Sequence, residues 1–125
     1  MSHRDVTRTK LAGDALYIAW RMNPADADSA GTAKNRLAQG EGRHLYRLRS
    51  WVIVNGEGHA LLAPAASLEQ IAGAVSDDAE EVVASRWIAG RRECAEVARE
   101  IELTPVALGL TDRPEQWPYS SAAMK

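Results

Sequence analysis

The segment Arg43–Ala63 constrains the fold more than any other, because it writes a β-hairpin into the local sequence. Along Arg43–Val54, Tyr46, Leu48, Val52 and Val54 fall on one side and Arg43, Arg47 and Arg49 on the other, with Ser50 breaking the apolar set. Asn55-Gly56 follows, a dipeptide whose residues accept the positive φ that a two-residue hairpin turn demands. The partner strand, Glu57–Ala63, ends at Pro64, which cannot donate to a ladder. Such a pair is not self-sufficient, so its apolar side must be buried by further strands or helices.

The flanking sequence supplies them. Leu16–Met22 is a compact apolar run suited to a first strand, closed by Asn23-Pro24 and a small, polar loop over Ala25–Ala30. Thr32–Gln39 reads as a short helix ending near Gly40. Ser67 opens another, with Gln70 completing a capping box and Leu68, Ile71, Ala72 and Val75 forming the apolar stripe. A second helical N-terminus is expected at Ser76 or Asp77, where Asp77, Asp78, Glu80 and Glu81 suit the dipole, with Val83 and Trp87 one turn apart. Gly90 breaks it. Arg91–Leu103 is a further helix with Cys94, Val97 and Ile101 buried, ended by Pro105. Strand, helix, hairpin, helix, helix predicts an α+β sandwich, a mainly antiparallel sheet with helices packed on it. At 125 residues and 46% hydrophobic, the chain suits a single domain over 1–125.

Composition narrows the function. No apolar run approaches a membrane span, so no membrane partner is expected, and MSHRDVTRTK lacks a signal peptide's apolar segment. Cys94 is the only cysteine, which excludes an internal disulfide and a cysteine metal cluster and points to a reducing, cytoplasmic setting. The net charge of −2 argues against tight, indiscriminate nucleic-acid binding, which draws on a basic excess. A local basic face remains open. Arg43, Arg47 and Arg49, with Lys34 and Arg36, are the candidate phosphate contacts, against the plainer reading of a charged outer surface. Trp20, Trp51, Trp87 and Trp117 could stack on bases, or serve as core aromatics in a chain without phenylalanine.

The C-terminal stretch Thr104–Ala122, TPVALGLTDRPEQWPYSSA, carries three prolines and a tryptophan at fixed offsets. It resembles the end of the catalytic domain of the REP-associated tyrosine transposases, single-stranded-DNA enzymes of the HUH class, written NPVRAGLVERPEDWPWSSA. Leu16–Arg21 is similar to that family's first strand, YHVTWR. Trp51–Pro64, WVIVNGEGHALLAP, is similar to WVVMPNHVHLLLTP, Ser67–Val75 stands in place of a segment like SLSRIMQSL, and Arg86–Arg91 resembles LWQGRY. The resemblance implies a ferredoxin-like sandwich, with Val106–Ala122 supplying a last strand or an ordered tail. It also implies a domain shortened between the HUH-like strand and the last helix, where the family's basic, aromatic segment is missing.

In the family, two histidines at i and i+2 of a strand bind a divalent metal that polarises the scissile phosphate. A tyrosine of the motif YIELNP attacks that phosphate, and the motif's asparagine completes the metal site. Carried over, the second histidine is His59, but the first is Glu57 and the residue between them is Gly58. The nucleophile position is Glu100, within EIELTP, and the asparagine position is Thr104. A carboxylate cannot form the phosphotyrosine-type intermediate that conserves strand-transfer energy. The resemblance therefore implies a catalytically inactive relative that binds hairpin or single-stranded DNA, with a homodimer as a possible assembly. Two alternatives stand beside it. One is a protein-interaction scaffold that binds no DNA. The other is a metal-dependent phosphodiesterase in which Glu57, His59 and Glu100 converge on a divalent ion such as Mg or Mn. Glu93, Glu96 and Glu100 also share one side of the last helix, either a solvated face or a wall that repels phosphate.

Overall fold

The computed structural model describes residues 15–22, 29–76 and 82–124, and among these residues the fold has four strands and three helices. In chain order they are β1 (Ala15–Arg21), α1 (Ser29–Gly42), β2 (Tyr46–Val54), β3 (Glu57–Pro64), α2 (Leu68–Val75), β4 (Val82–Ile88) and α3 (Arg91–Ala107). Two 3₁₀ turns follow, Pro114–Gln116 and Ser121–Met124. The strand order is β2-β3-β1-β4, with every neighbouring pair antiparallel. Inserting β3 between β1 and β2 gives the split β-α-β arrangement of a ferredoxin-like sandwich.

The hairpin forms as its sequence demands, with Asn55 at φ 50 and Gly56 at φ 77 in the turn. Its first strand differs from the expected one in two ways. It starts at Tyr46, because α1 runs on through Gly42 and the chain turns at His44 (φ 63). It also carries a register shift between Leu48 and Ser50, a bulge that reverses which side chains face which layer. Tyr46 and Leu48 thus share a layer with Trp51 and Ile53, whereas Val52 and Val54 face the other side. The alternation read from the sequence had placed Tyr46, Leu48, Val52 and Val54 together.

The sheet consequently has two buried faces. Ala33 and Leu37 of α1 and Ile71 and Val75 of α2 pack against Leu16, Ile18, Trp20, Tyr46, Trp51 and Ile53. On the opposite face, Cys94, Val97 and Ile101 of α3 meet Ala15, Val52, Val54, Leu61 and Ile88. Ser67 caps α2 with the expected box, accepting from the Gln70 amide at 3.1 Å.

Two helix assignments need correction. The helix expected to carry Val83 and Trp87 is β4, an edge strand on β1. Val82 and Val83 are β-branched, and the free edge of β1 offers Val82–Ile88 a full ladder that an isolated helix would lack. Of its two expected N-terminal residues, Ser76 is instead the C-cap of α2, and Asp77 lies outside the described residues, as does Asn23-Pro24. Pro105 does not end α3 but sits inside it. The last turn survives because the Leu108 amide reaches the Thr104 carbonyl at 3.0 Å and the Leu110 amide the Pro105 carbonyl at 2.9 Å. Beyond it the chain forms an ordered tail, bridged to β2 at Val52–Ser120.

Candidate functional site

β3 places Glu57 and His59 on the face shared with α3, because alternate residues of a strand point the same way. His59 Nε2 lies 3.6 Å from Glu57 Oε1. The other ring nitrogen is occupied as well, since Tyr17 Oη on β1 lies 2.7 Å from His59 Nδ1. The cross-strand register creates this contact by pairing Tyr17 with Leu61 and Ala19 with His59. Tyr17 was not among the sequence candidates. Its signal was a polar-tipped ring in an otherwise apolar strand, which cannot name a partner 42 residues away.

Burial holds the His59 pKa below its ordinary value, opposed in part by the Glu57 carboxylate. Burial likewise raises that of Tyr17, against the pull of Arg86. In the neutral tautomer that carries its proton on Nε2, toward Glu57, the imidazole accepts a hydrogen bond from the Tyr17 hydroxyl at Nδ1. The linkage has a definite sign. The unfolded chain binds a proton at His59 near 6.5 that the native state refuses, so stability falls as pH drops below 6.5 and levels off under the native pKa. Replacing His59 with glutamine should flatten that limb in urea midpoints measured on either side of 6.5.

Glu100 does not join this pair. It stands on the exposed side of α3, lining a cleft of about 470 Å³ with Arg86, Gly90, Arg92, Glu93 and Glu96. Arg86 Nη1 is 3.8 Å from Glu93 Oε1. Thr104 donates its hydroxyl to the Glu100 carbonyl at 3.0 Å, a bond within the helix. Among the described residues no group of three or more His, Cys, Asp or Glu side chains is placed to hold a metal. With Glu100 lining a separate cleft and no third ligand beside Glu57 and His59 among the described residues, the residues present do not make up the divalent-ion site that the resemblance implies.

The basic candidates are divided among separate surfaces. Arg36 and Arg43 line a polar cleft of about 400 Å³ with Thr32, Asn35 and Gln39 of α1 and Gly73 and Ala74 of α2. Lys34, two residues from Arg36, lies on a different side of α1. Arg47 and Arg49 are exposed on β2, Arg49 at the bulge. Arg43 precedes that strand and does not extend its row. Of the tryptophans, Trp20 and Trp51 are core and Trp117 donates its indole N–H to the Ile53 carbonyl at 2.9 Å, whereas Trp87 is exposed on β4.

The chain is similar in structure to a REP-associated tyrosine transposase solved bound to a REP hairpin, with a TM-score of 0.67 over 89% of this chain and 78% of that one. Sequence identity is 10%, so the likeness establishes a shared fold. No protein-family model and no curated protein matches the sequence. No described helix is long and apolar enough to cross a membrane.

Proposed function

We propose that this chain is a transposase-derived domain that binds a DNA hairpin or unpaired strand without carrying out strand transfer. One observation supports the binding half of the reading. The fold is shared, over most of the chain, with a protein solved on a DNA hairpin. The residues of α3 support the other half, since Glu100 and Thr104 stand where the resembling motif has its tyrosine and asparagine. The 125 residues act as one domain.

The basic residues singled out from the sequence offer two surfaces for phosphate contact, the α1–α2 cleft with Arg36 and Arg43, and the β2 edge with Arg47 and Arg49. With a net charge of −2, affinity rests on these few contacts and is steeply salt-dependent. Fluorescence anisotropy with a labelled hairpin and a labelled single strand, titrated from low to physiological salt, tests this. Replacing two contacting arginines by alanine should lower the log–log salt slope by about 2. A wild-type protein that binds neither probe at low salt would refute the reading, and so would a covalent protein–DNA adduct persisting on a denaturing gel.

A further inference from the structure

The Tyr17–His59 pair has a geometry that a buried structural hydrogen bond does not require. The ring planes are inclined by 22° and the centroids lie 6.1 Å apart, yet Tyr17 Oη and His59 Nδ1 are 2.7 Å apart. So short a heteroatom contact leaves no room for one ring above the other. The rings therefore lie edge to edge, inclined by 22°, across β1 and β3, the two central strands. α3 packs mainly on β2 and to a lesser extent on β3, and the His59 side chain remains 24% exposed.

The charges around this surface are ordered. Arg86 on β4 is the cross-strand partner of Tyr17, and Arg21 lies farther along the same side of β1. Glu93, Glu96 and Glu100 line the cleft on the α3 side. Arg86 is 3.8 Å from Glu93 and Arg21 pairs with Glu57 across the ladder, so a phosphodiester chain would compete with these carboxylates for the two guanidiniums while the remaining acids of α3 repel it from the helix. Every base has a π-face, so an aromatic shelf on central strands accepts an unpaired base without reading its identity.

We infer that Tyr17 and His59 form a stacking platform for an unpaired nucleobase of single-stranded DNA, with Arg21 and Arg86 guiding the flanking phosphates. This site rests on the DNA-binding reading above and locates the base contact within it.

The test uses short single-stranded oligonucleotides carrying 2-aminopurine at successive positions, added to the full-length chain. Stacking quenches the fluorophore, so quenching should appear at one or two positions only. Tyr17→Leu should remove it and weaken binding about 5- to 100-fold. Tyr17→Phe keeps a ring and should lose no more than a few-fold. His59→Asn supplies a second ring deletion if Tyr17→Leu fails to give a native circular dichroism spectrum. DNA binding that is indifferent to both ring deletions, or quenching unchanged in either, overturns the platform and leaves the DNA-binding reading intact. A wild-type chain that binds no oligonucleotide overturns both.

Discussion

Gly58→Ala will destabilise the domain by about 3 kcal/mol, and Gly58→Val will leave it without a cooperative unfolding transition in urea. Gly58 pairs with Trp20 across the β1–β3 ladder and is buried. A Cβ built there would fall within the Trp20 indole, against Cζ2, Cε2 and Cη2. The indole is fully buried in the layer formed with α1 and α2, so the ring cannot swing aside as an exposed side chain would. Either the strand moves or the ring does, and both disturb packing shared with Ile18, Ile53 and Leu62. Trp20→Ala alone should cost about 3–5 kcal/mol by leaving a cavity. The double variant should be less destabilised than the sum of the singles by more than about 1 kcal/mol, because the new methyl then occupies part of that cavity. Strict additivity in urea titrations would show that the two residues do not share the space. The result also bears on function. Gly58 stands between Glu57 and His59, so a strand displaced by the new methyl would carry both residues with it.

What could be read from the sequence was what is local. Asn55-Gly56 and the Ser67–Gln70 box act within four residues, and both formed as expected. The stripe Cys94, Val97 and Ile101 also faces the core, since a helix fixes its own faces. The bulge at Arg49 was hidden by an alternation that looked continuous. Its trace was the apolar pair Trp51 and Ile53 at the other parity, which marks a strand buried on both sides. β4 was misread because Val83 and Trp87 fit a helical spacing, while the β1 edge that captures them is more than 60 residues earlier in the chain. The same limit governs the site. Glu57 and His59 could be paired from their i, i+2 spacing, but Tyr17 joins them only through a register that no local pattern encodes. Glu100 was expected to converge with them. The stripe of α3 instead turns it toward Arg86 and the cleft.

Truncation after Asp112 will abolish the folded, monodisperse protein, and Trp117→Ala alone will cost about 3 kcal/mol. β2 is an edge strand of the sheet, so its outward N–H and C=O groups need partners from outside the ladder. The tail supplies them. The Ile53 amide donates to the Tyr119 carbonyl at 2.9 Å, and the Trp117 indole N–H donates to the Ile53 carbonyl at 2.9 Å. The Trp51 amide donates to Ser121 Oγ at 3.0 Å, and that hydroxyl donates in turn to Glu102 Oε2 at 2.6 Å, tying the strand edge to α3. Trp117 also packs against the α3 layer, so its loss removes apolar burial together with the bond to Ile53. Ser121→Ala keeps the packing and should cost only about 1–2 kcal/mol, the loss of one charge-assisted link and of a partner for Trp51. Size-exclusion chromatography of the truncated chain should show aggregates, because an apolar edge over Trp51–Val54 becomes available to other copies. A monomeric truncate with a wild-type urea midpoint would show that the tail is ornamental. The WPYSSA residues that match the transposase signature are the ones that seal this edge, so in this chain the motif has a structural role that does not depend on a tyrosine at position 100.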